Sequence, residues 1–234
     1  MFKPALNITE QIADHLGQKI ILGELKSGAR IQEVKIAKAM NVSRGSVREA
    51  LLILERRHLI SIVPRKGASV NDLEIRDGIE VMNLLATLQE QLFQKVMCNR
   101  AASDVLLLAE TPVAEMEAAA RLGDRALALK AQREFYAVLL TVAGSCMAGV
   151  LESLLPSVQR LLHVAFLSSD FDLYDFARFH KALHSFLKQR DKQHVHDLLG
   201  AFSRRTLSLL EGCLAHRPRT GFSRGYGREM VGAA

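Results

Sequence analysis

Strand-like signal in this chain is confined to one short stretch. In HLISIVPRKGASV, residues 58–70, two apolar-alternating runs at 59–63 and 68–70 flank the basic turn Pro64-Arg65-Lys66-Gly67 and read as a hairpin. Every other periodic segment repeats its apolar residues at three- and four-residue spacing, the period of an α-helix. Ahead of the hairpin lie three short helical patterns. In residues 9–22 the apolar positions are Ile12, Ala13, Leu16, Ile20 and Ile21, with Thr9 as the expected N-cap. In IQEVKIAKAM they are Val34, Ile36, Ala37 and Met40, and in residues 44–57 Val47, Ala50, Leu51 and Leu54, with Ser43 as cap. Three helices and then a hairpin is the element order of a winged helix-turn-helix. Behind the hairpin six longer helical patterns follow, at about residues 75–98, 103–117, 124–142, 150–167, 174–189 and 192–214. The expected fold is therefore mainly α: an N-terminal winged helix-turn-helix over residues 1–70, a linker at 71–76, and an all-α bundle of six or seven helices over 77–215. The last stretch, 216–234, has glycines and scattered arginines without periodicity and is expected to be a disordered tail.

Charge is divided unevenly along this plan. Residues 1–76 hold 13 Lys/Arg against 8 Asp/Glu, whereas residues 77–215 hold 14 against 16, so a polyanion is expected to be held by the N-terminal part. Within it, NVSRGSVREALLILE places Arg44 and Arg48 one turn apart on the flank of an apolar stripe. In a helix-turn-helix this second helix of the motif enters the major groove. Arginine's planar fork suits guanine O6 and N7, and Ser43 and Ser46 beside exposed amides suit phosphate oxygens. Lys35 supports from the preceding helix, and Arg65, Lys66 and Gly67 form the wing tip. A solvated basic helix and loop is the plain alternative, but the ordered set of helices, turn and basic hairpin favours DNA.

These residues carry a resemblance. ILGELKSGARIQEVKIAKAMNVSRGSVREALLILERRHLISIVPRKGASV closely resembles the DNA-binding domain of the GntR family of bacterial transcription regulators. The shared pattern is Ile-x-x-Gly-x-x-x-x-Gly, then IAKAMNVSR, Val-Arg-Glu-Ala-Leu, a Leu-Glu pair and a Pro-Arg-x-Gly wing. It departs in having Lys26-Ser27-Gly28 where Pro-Gly is usual and Gly45-Ser46 in place of Thr-Pro. The helical remainder, through REFYAVLLTVAGS and FHKALHSFLKQRD, is similar to the effector domain of the FadR subgroup, often called FCD.

The resemblance implies a homodimeric regulator, a repressor by expectation, that binds a double-stranded DNA operator and answers to a small-molecule effector. It also implies a divalent metal held by one aspartate and three histidines. Carried onto this chain, those positions are Gln132, Tyr136, His180 and Phe202, of which one remains a metal donor of the expected type; neither metal nor other cofactor is expected. Where many FCD domains grip an organic acid with an arginine, Met82 and Asn83 stand, so a more apolar acyl or aromatic ligand comes into view beside organic acids. Tyr136, Arg160, His163 and His180 are the effector-contact candidates. Arg160 on the surface and His163 or His180 as structural core histidines are the alternative readings.

Other chemistry is thin. His180 and His184 are an i,i+4 pair and His194 and His196 lie near in sequence, but a third ligand is not evident. Gly144-Ser145-Cys146 lacks the spacing of a nucleophile elbow, and neither a phosphate-binding glycine loop nor paired carboxylates can be found. An enzyme is not expected. The alternative retained is a DNA-binding module fused to a helical interaction scaffold or enzyme domain. Three separated cysteines, and the lack of any apolar run approaching a membrane span or signal core, point to the cytoplasm and to no membrane partner.

Overall fold

The computed structural model describes residues 7–72, 75–99, 102–167 and 172–215. The tail expected at 216–234 lies outside them. The N-terminal domain contains α1 (Ile8–Ile21), β1 (Arg30–Ile31), α2 (Glu33–Met40), α3 (Arg44–Arg56), β2 (Ile60–Val63) and β3 (Gly67–Val70). Its core is the apolar stripe of α1, with Ile12, Ala13, Leu16 and Ile20, pressed on Val47, Ala50, Leu51 and Leu54 of α3 and closed by Leu59, Ile60 and Val70. Each large side chain so buried contributes roughly 1.5–3 kcal/mol. Asn41 ends α2 in the left-handed conformation at φ 52°, a position asparagine tolerates, which turns the chain into α3.

Two expectations change here. The cap of α1 is Asn7, whose side chain accepts from the Thr9 amide; Thr9, the second residue of the helix, is buried, and its hydroxyl donates to Glu49 of α3 at 3.2 Å. The sheet has three strands in the order β1-β3-β2, both pairings antiparallel, because Arg30 and Ile31 pair with Ser69 and Ala68. A two-residue strand is too short for alternation to register.

The second domain is built of α4 (Ile75–Cys98), α5 (Ala102–Leu108), α6 (Glu110–Leu122), α7 (Arg125–Leu140), α8 (Ser145–Ala165), α9 (Leu173–Gln189) and α10 (Lys192–Ala215). The single helix expected over 103–117 is two, α5 and α6. Pro112 explains the break: its ring clashes with the carbonyl four residues back, at Leu108, and is accommodated in the first turn of a new helix. Phe93, Phe135, Tyr136, Leu155, Phe176 and Leu183 are among the residues that fill the bundle. Helix α8 packs against α4, α7 and α10 inside the bundle and against α1 of the N-terminal domain outside it. At the root of α4, Gly78 meets α8 so closely that a Cβ there would sit 3.0 Å from a Leu161 methyl. Among the described residues no helix is long and apolar enough to cross a membrane.

Candidate nucleic-acid interface and bundle interior

Ser43 fixes the start of α3. Its hydroxyl accepts from the Ser46 amide at 3.0 Å, and the two serine hydroxyls lie 2.9 Å apart, so the first turn is closed by its own side chains. Arg44 follows directly and is exposed, with no ion pair among the described residues. Lys35 on α2 is exposed as well. Arg48 is treated differently: its Nε donates to Glu33 Oε2 at 2.8 Å, pinning α3 to the first turn of α2, while the side chain keeps 64% of its exposure. Sequence reasoning missed Glu33, whose partner lies 15 residues away.

At the wing, the Lys66 amide donates to the Val63 carbonyl at 3.0 Å, closing a turn in which Arg65 has φ 64° and Gly67 φ 86°. A positive φ is easy for glycine and costs an arginine. Arg65, Lys66 and Gly67 are all exposed. The eight residues singled out for DNA thus lie on α2, on the start of α3 and at the hairpin tip, with their cations toward solvent apart from the Arg48–Glu33 pair.

The four effector candidates do not converge on one space. Tyr136 and His180 lie in the bundle interior, fully buried. The Tyr136 hydroxyl accepts from Gln89 Nε2, and burial pushes its phenol above the usual value, so it stays neutral. His180 sits among the rings of Phe135, Phe176, Phe179 and Phe202. Its Nδ1 lies 2.9 Å from the Phe176 carbonyl, which can only accept, so the proton is on Nδ1 and Nε2 carries a bare lone pair. That Nε2, Gln132 Oε1 and Thr206 Oγ1 are buried without a hydrogen-bond partner. Burial lowers the His180 pKa to about 4.

Arg160 and His163 stand elsewhere, at the seam with the N-terminal domain. Arg160, 7% exposed, donates to the Asn71 carbonyl at 2.7 Å and to the Ser27 hydroxyl at 2.9 Å. His163 lies by the Leu22 backbone with its Nδ1 buried and unpartnered among the described residues, and its pKa is lowered, chiefly by burial. Ser157 Oγ donates to the Arg57 carbonyl at 3.3 Å. A cleft of about 270 Å³ opens beside this seam, lined by His58, Asp72, Asp77, Glu80, Leu84 and Arg160 among others. Ser27, Asn71 and Ser157 were not found from sequence. The signal that could have found the seam is the three-residue spacing of the polar Ser157, Arg160 and His163 along one side of α8.

The divalent metal of FCD domains does not fit the residues present. Phe202 has no donor atom and stacks on Phe179 with ring centroids 3.9 Å apart. Tyr136 is a neutral phenol engaged by Gln89, and Gln132 offers an amide where a carboxylate is needed. Nor do the paired histidines face one ion, because His184 Nε2 is held 2.7 Å from the Leu106 carbonyl while His180 Nδ1 is held by Phe176. His194 and His196 pair on the surface with Asp191 and Glu90.

Comparison with known proteins agrees with this geometry. The family model "Bacterial regulatory proteins, gntR family" matches residues 8–70, and the FCD domain model matches residues 80–204. YdhC, an HTH-type transcriptional regulator of Bacillus subtilis, is 27% identical over 187 residues, 78% of this chain and 82% of its own. The gluconate operon transcriptional repressor of Bacillus licheniformis is 31% identical over 106 residues, 45% of this chain and 42% of its own. Among solved structures, E. coli McbR/YncC superposes with a TM-score of 0.74 at 21% identity, covering 89% of this chain and 99% of that one. A GntR regulator from Rhodococcus sp. RHA1 gives 0.68 at 20% identity, covering 87% and 97%. These two likenesses concern the fold. With a winged helix-turn-helix in front and an FCD bundle behind, this chain belongs to the gntR family of bacterial regulatory proteins and is a DNA-binding regulator of transcription.

Proposed function

We propose that the chain is a dimeric repressor whose two winged helices read the halves of an operator and whose bundle responds to a small molecule. The carrying observation is that Arg44 at the capped start of α3, Lys35 on α2 and Arg65 and Lys66 at the hairpin tip are all exposed. A ready-capped helix start flanked by cations matches phosphates on both sides of a major groove. In this reading Arg44 reads a base edge, Arg48 a base edge or phosphate, and Lys35, Ser43, Ser46, Arg65, Lys66 and Gly67 hold the backbone. A two-fold dimer then meets two half-sites.

The effector is a compound with an aromatic or acyl body and a hydrogen-bond donor. The interior round His180 is ring-lined, and of the bundle's unpartnered buried groups His180 Nε2 and Gln132 Oε1 are acceptors that welcome a hydroxyl, an amide or a protonated acid, while the Thr206 hydroxyl can donate as well as accept. Tyr136 and His180 are its contacts. The regulator works in the cytoplasm, where the DNA is.

The test is fluorescence anisotropy with DNA flanking the protein's own coding sequence against random duplex. The parent prefers the flanking DNA, and with roughly six phosphates neutralised the log–log salt slope is near −5. Arg44→Ala weakens operator binding by about 1–3 kcal/mol and relaxes one base preference. Equal affinity of the parent for operator and random duplex sinks the reading.

A further inference from the structure

Helix α8 holds the N-terminal domain along one stripe. Ser157, Arg160 and His163 are three residues apart; Ser157 and Arg160 donate across the seam to backbone and hydroxyl oxygens of the other domain, and His163 lies by the Leu22 backbone. Their targets are specific places. Leu22 is the C-cap of α1 and Arg57 the C-cap of α3, ends where helix carbonyls lack partners of their own.

The third target, Asn71, is the first residue after β3, where the chain leaves the DNA-binding domain. It is saturated: its amide donates to the Leu59 carbonyl at 3.0 Å, Nδ2 to the His58 carbonyl at 2.8 Å, Oδ1 accepts from Ser61 at 2.6 Å, and its carbonyl accepts from Arg160. Arg160 therefore grips the exit of the domain rather than a loose linker. Its two-pronged fork bridges that exit to Ser27 in the turn between α1 and β1. On its other side the same helix is fixed to the bundle by Gln159, which donates to the Leu129 carbonyl of α7 at 2.5 Å, and by Leu155, Val158 and Leu162.

We infer that Arg160 is a positioning residue for DNA recognition: with Ser157 and His163 it latches the DNA-binding domain to α8, so that the placing of the recognition helices follows the placing of α8 in the bundle. This extends the reading of the chain as a dimeric operator-binding protein and rests on it for its DNA consequence. The latch itself can be tested without DNA.

Two measurements decide it, on the full chain. In scanning calorimetry the parent unfolds in one transition, because the seam couples the domains. Ser157→Ala/Arg160→Ala splits this into two, and Arg160→Lys, which cannot make the same fork, broadens it. A single transition merely moved to lower temperature in the double variant means a local structural role and overturns the latch, as does a parent that already melts in two steps. In the second measurement the parent and Arg160→Lys are titrated with a single half-site and with operators whose half-sites are one base pair closer or farther apart. The parent discriminates the spacings by about tenfold or more, and Arg160→Lys loses most of this while binding the half-site equally well. An unchanged spacing profile overturns the latch. Absence of half-site binding in the parent strikes instead at the proposed function and leaves the calorimetric result to judge the latch.

Discussion

Glu33 holds Arg48 by a 2.8 Å ion pair on the face proposed to meet DNA, and in that reading one carboxylate opposes both the arginine's release and any phosphate brought near. An exposed pair of this kind is worth about 0–1 kcal/mol to the fold. Removing the negative charge beside a polyanion gains more than that loses, so Glu33→Gln is expected to tighten operator binding about threefold to tenfold at low salt, with the gain shrinking as salt rises. Anisotropy titrations at two ionic strengths check it. A second residue-scale prediction concerns His180, whose pKa burial holds at about 4. An unfolded histidine takes a proton near pH 6.5. Between those values the unfolded chain binds the extra proton, so stability falls as pH is lowered through this window and is fully present above it. From pH 6.5 to 5, ahead of most carboxylate titration, His180 should account for about 1.5 kcal/mol of that loss. Urea midpoints of the parent and His180→Phe, compared across that interval, should diverge by this amount, the variant being the flatter.

Among the elements, the wing combines charge with backbone strain. Arg65 occupies a φ of 64° in the turn, a conformation glycine adopts without penalty. Arg65→Gly is expected to raise the stability of the protein by up to about 1 kcal/mol and to lower the salt slope of DNA binding by about one unit for each arginine lost from the phosphate contacts. Chemical denaturation and salt titration of one variant measure both. That a strained cation was legible in the sequence only as a basic turn illustrates what local pattern carries. The helix start at Ser43, the stripe Val47, Ala50, Leu51, Leu54 and the hairpin were readable because caps, helical period and turn residues act over a few positions. Strand β1 was not, since its two residues are strand only by pairing with Ser69 and Ala68. Nor was Thr9's burial against Glu49, because a threonine just before an apolar run fits an N-cap as well as a core-facing hydroxyl. For α8, periodicity told which residues are apolar but not what the polar ones face. Arg160 and His163 were read toward a cavity on family resemblance; both stand at the seam with the N-terminal domain, where Arg160 also lines a cleft.

Across the whole molecule, the four positions at which the FCD family pattern holds its metal carry residues that do not fit one. Where four ligands from three helices tie the FCD interior in the family pattern, this chain has the Tyr136–Gln89 hydrogen bond between α7 and α4 and the stacked Phe179 and Phe202 between α9 and α10. Incubation with EDTA should therefore leave the melting temperature within a degree or so of the untreated protein, and zinc should not raise it, since only a ligand that binds the folded state adds stability. Differential scanning fluorimetry on purified protein tests this; a fall of several degrees with the chelator contradicts it. The sequence disclosed the substitutions at these positions but not the interactions that replaced the ligands, because aromatic stacking depends on side-chain directions fixed only in the packed bundle. Gly78 shows how fine the tolerances between α4 and α8 are. With 3.0 Å from a would-be Cβ to the Leu161 methyl, the root of α4 lies about as near to α8 as atoms permit. One added methyl there obliges the Leu161 side chain to give by a few tenths of an ångström; where it cannot, α4 tilts at its root and the displacement grows along its 24 residues toward the far end.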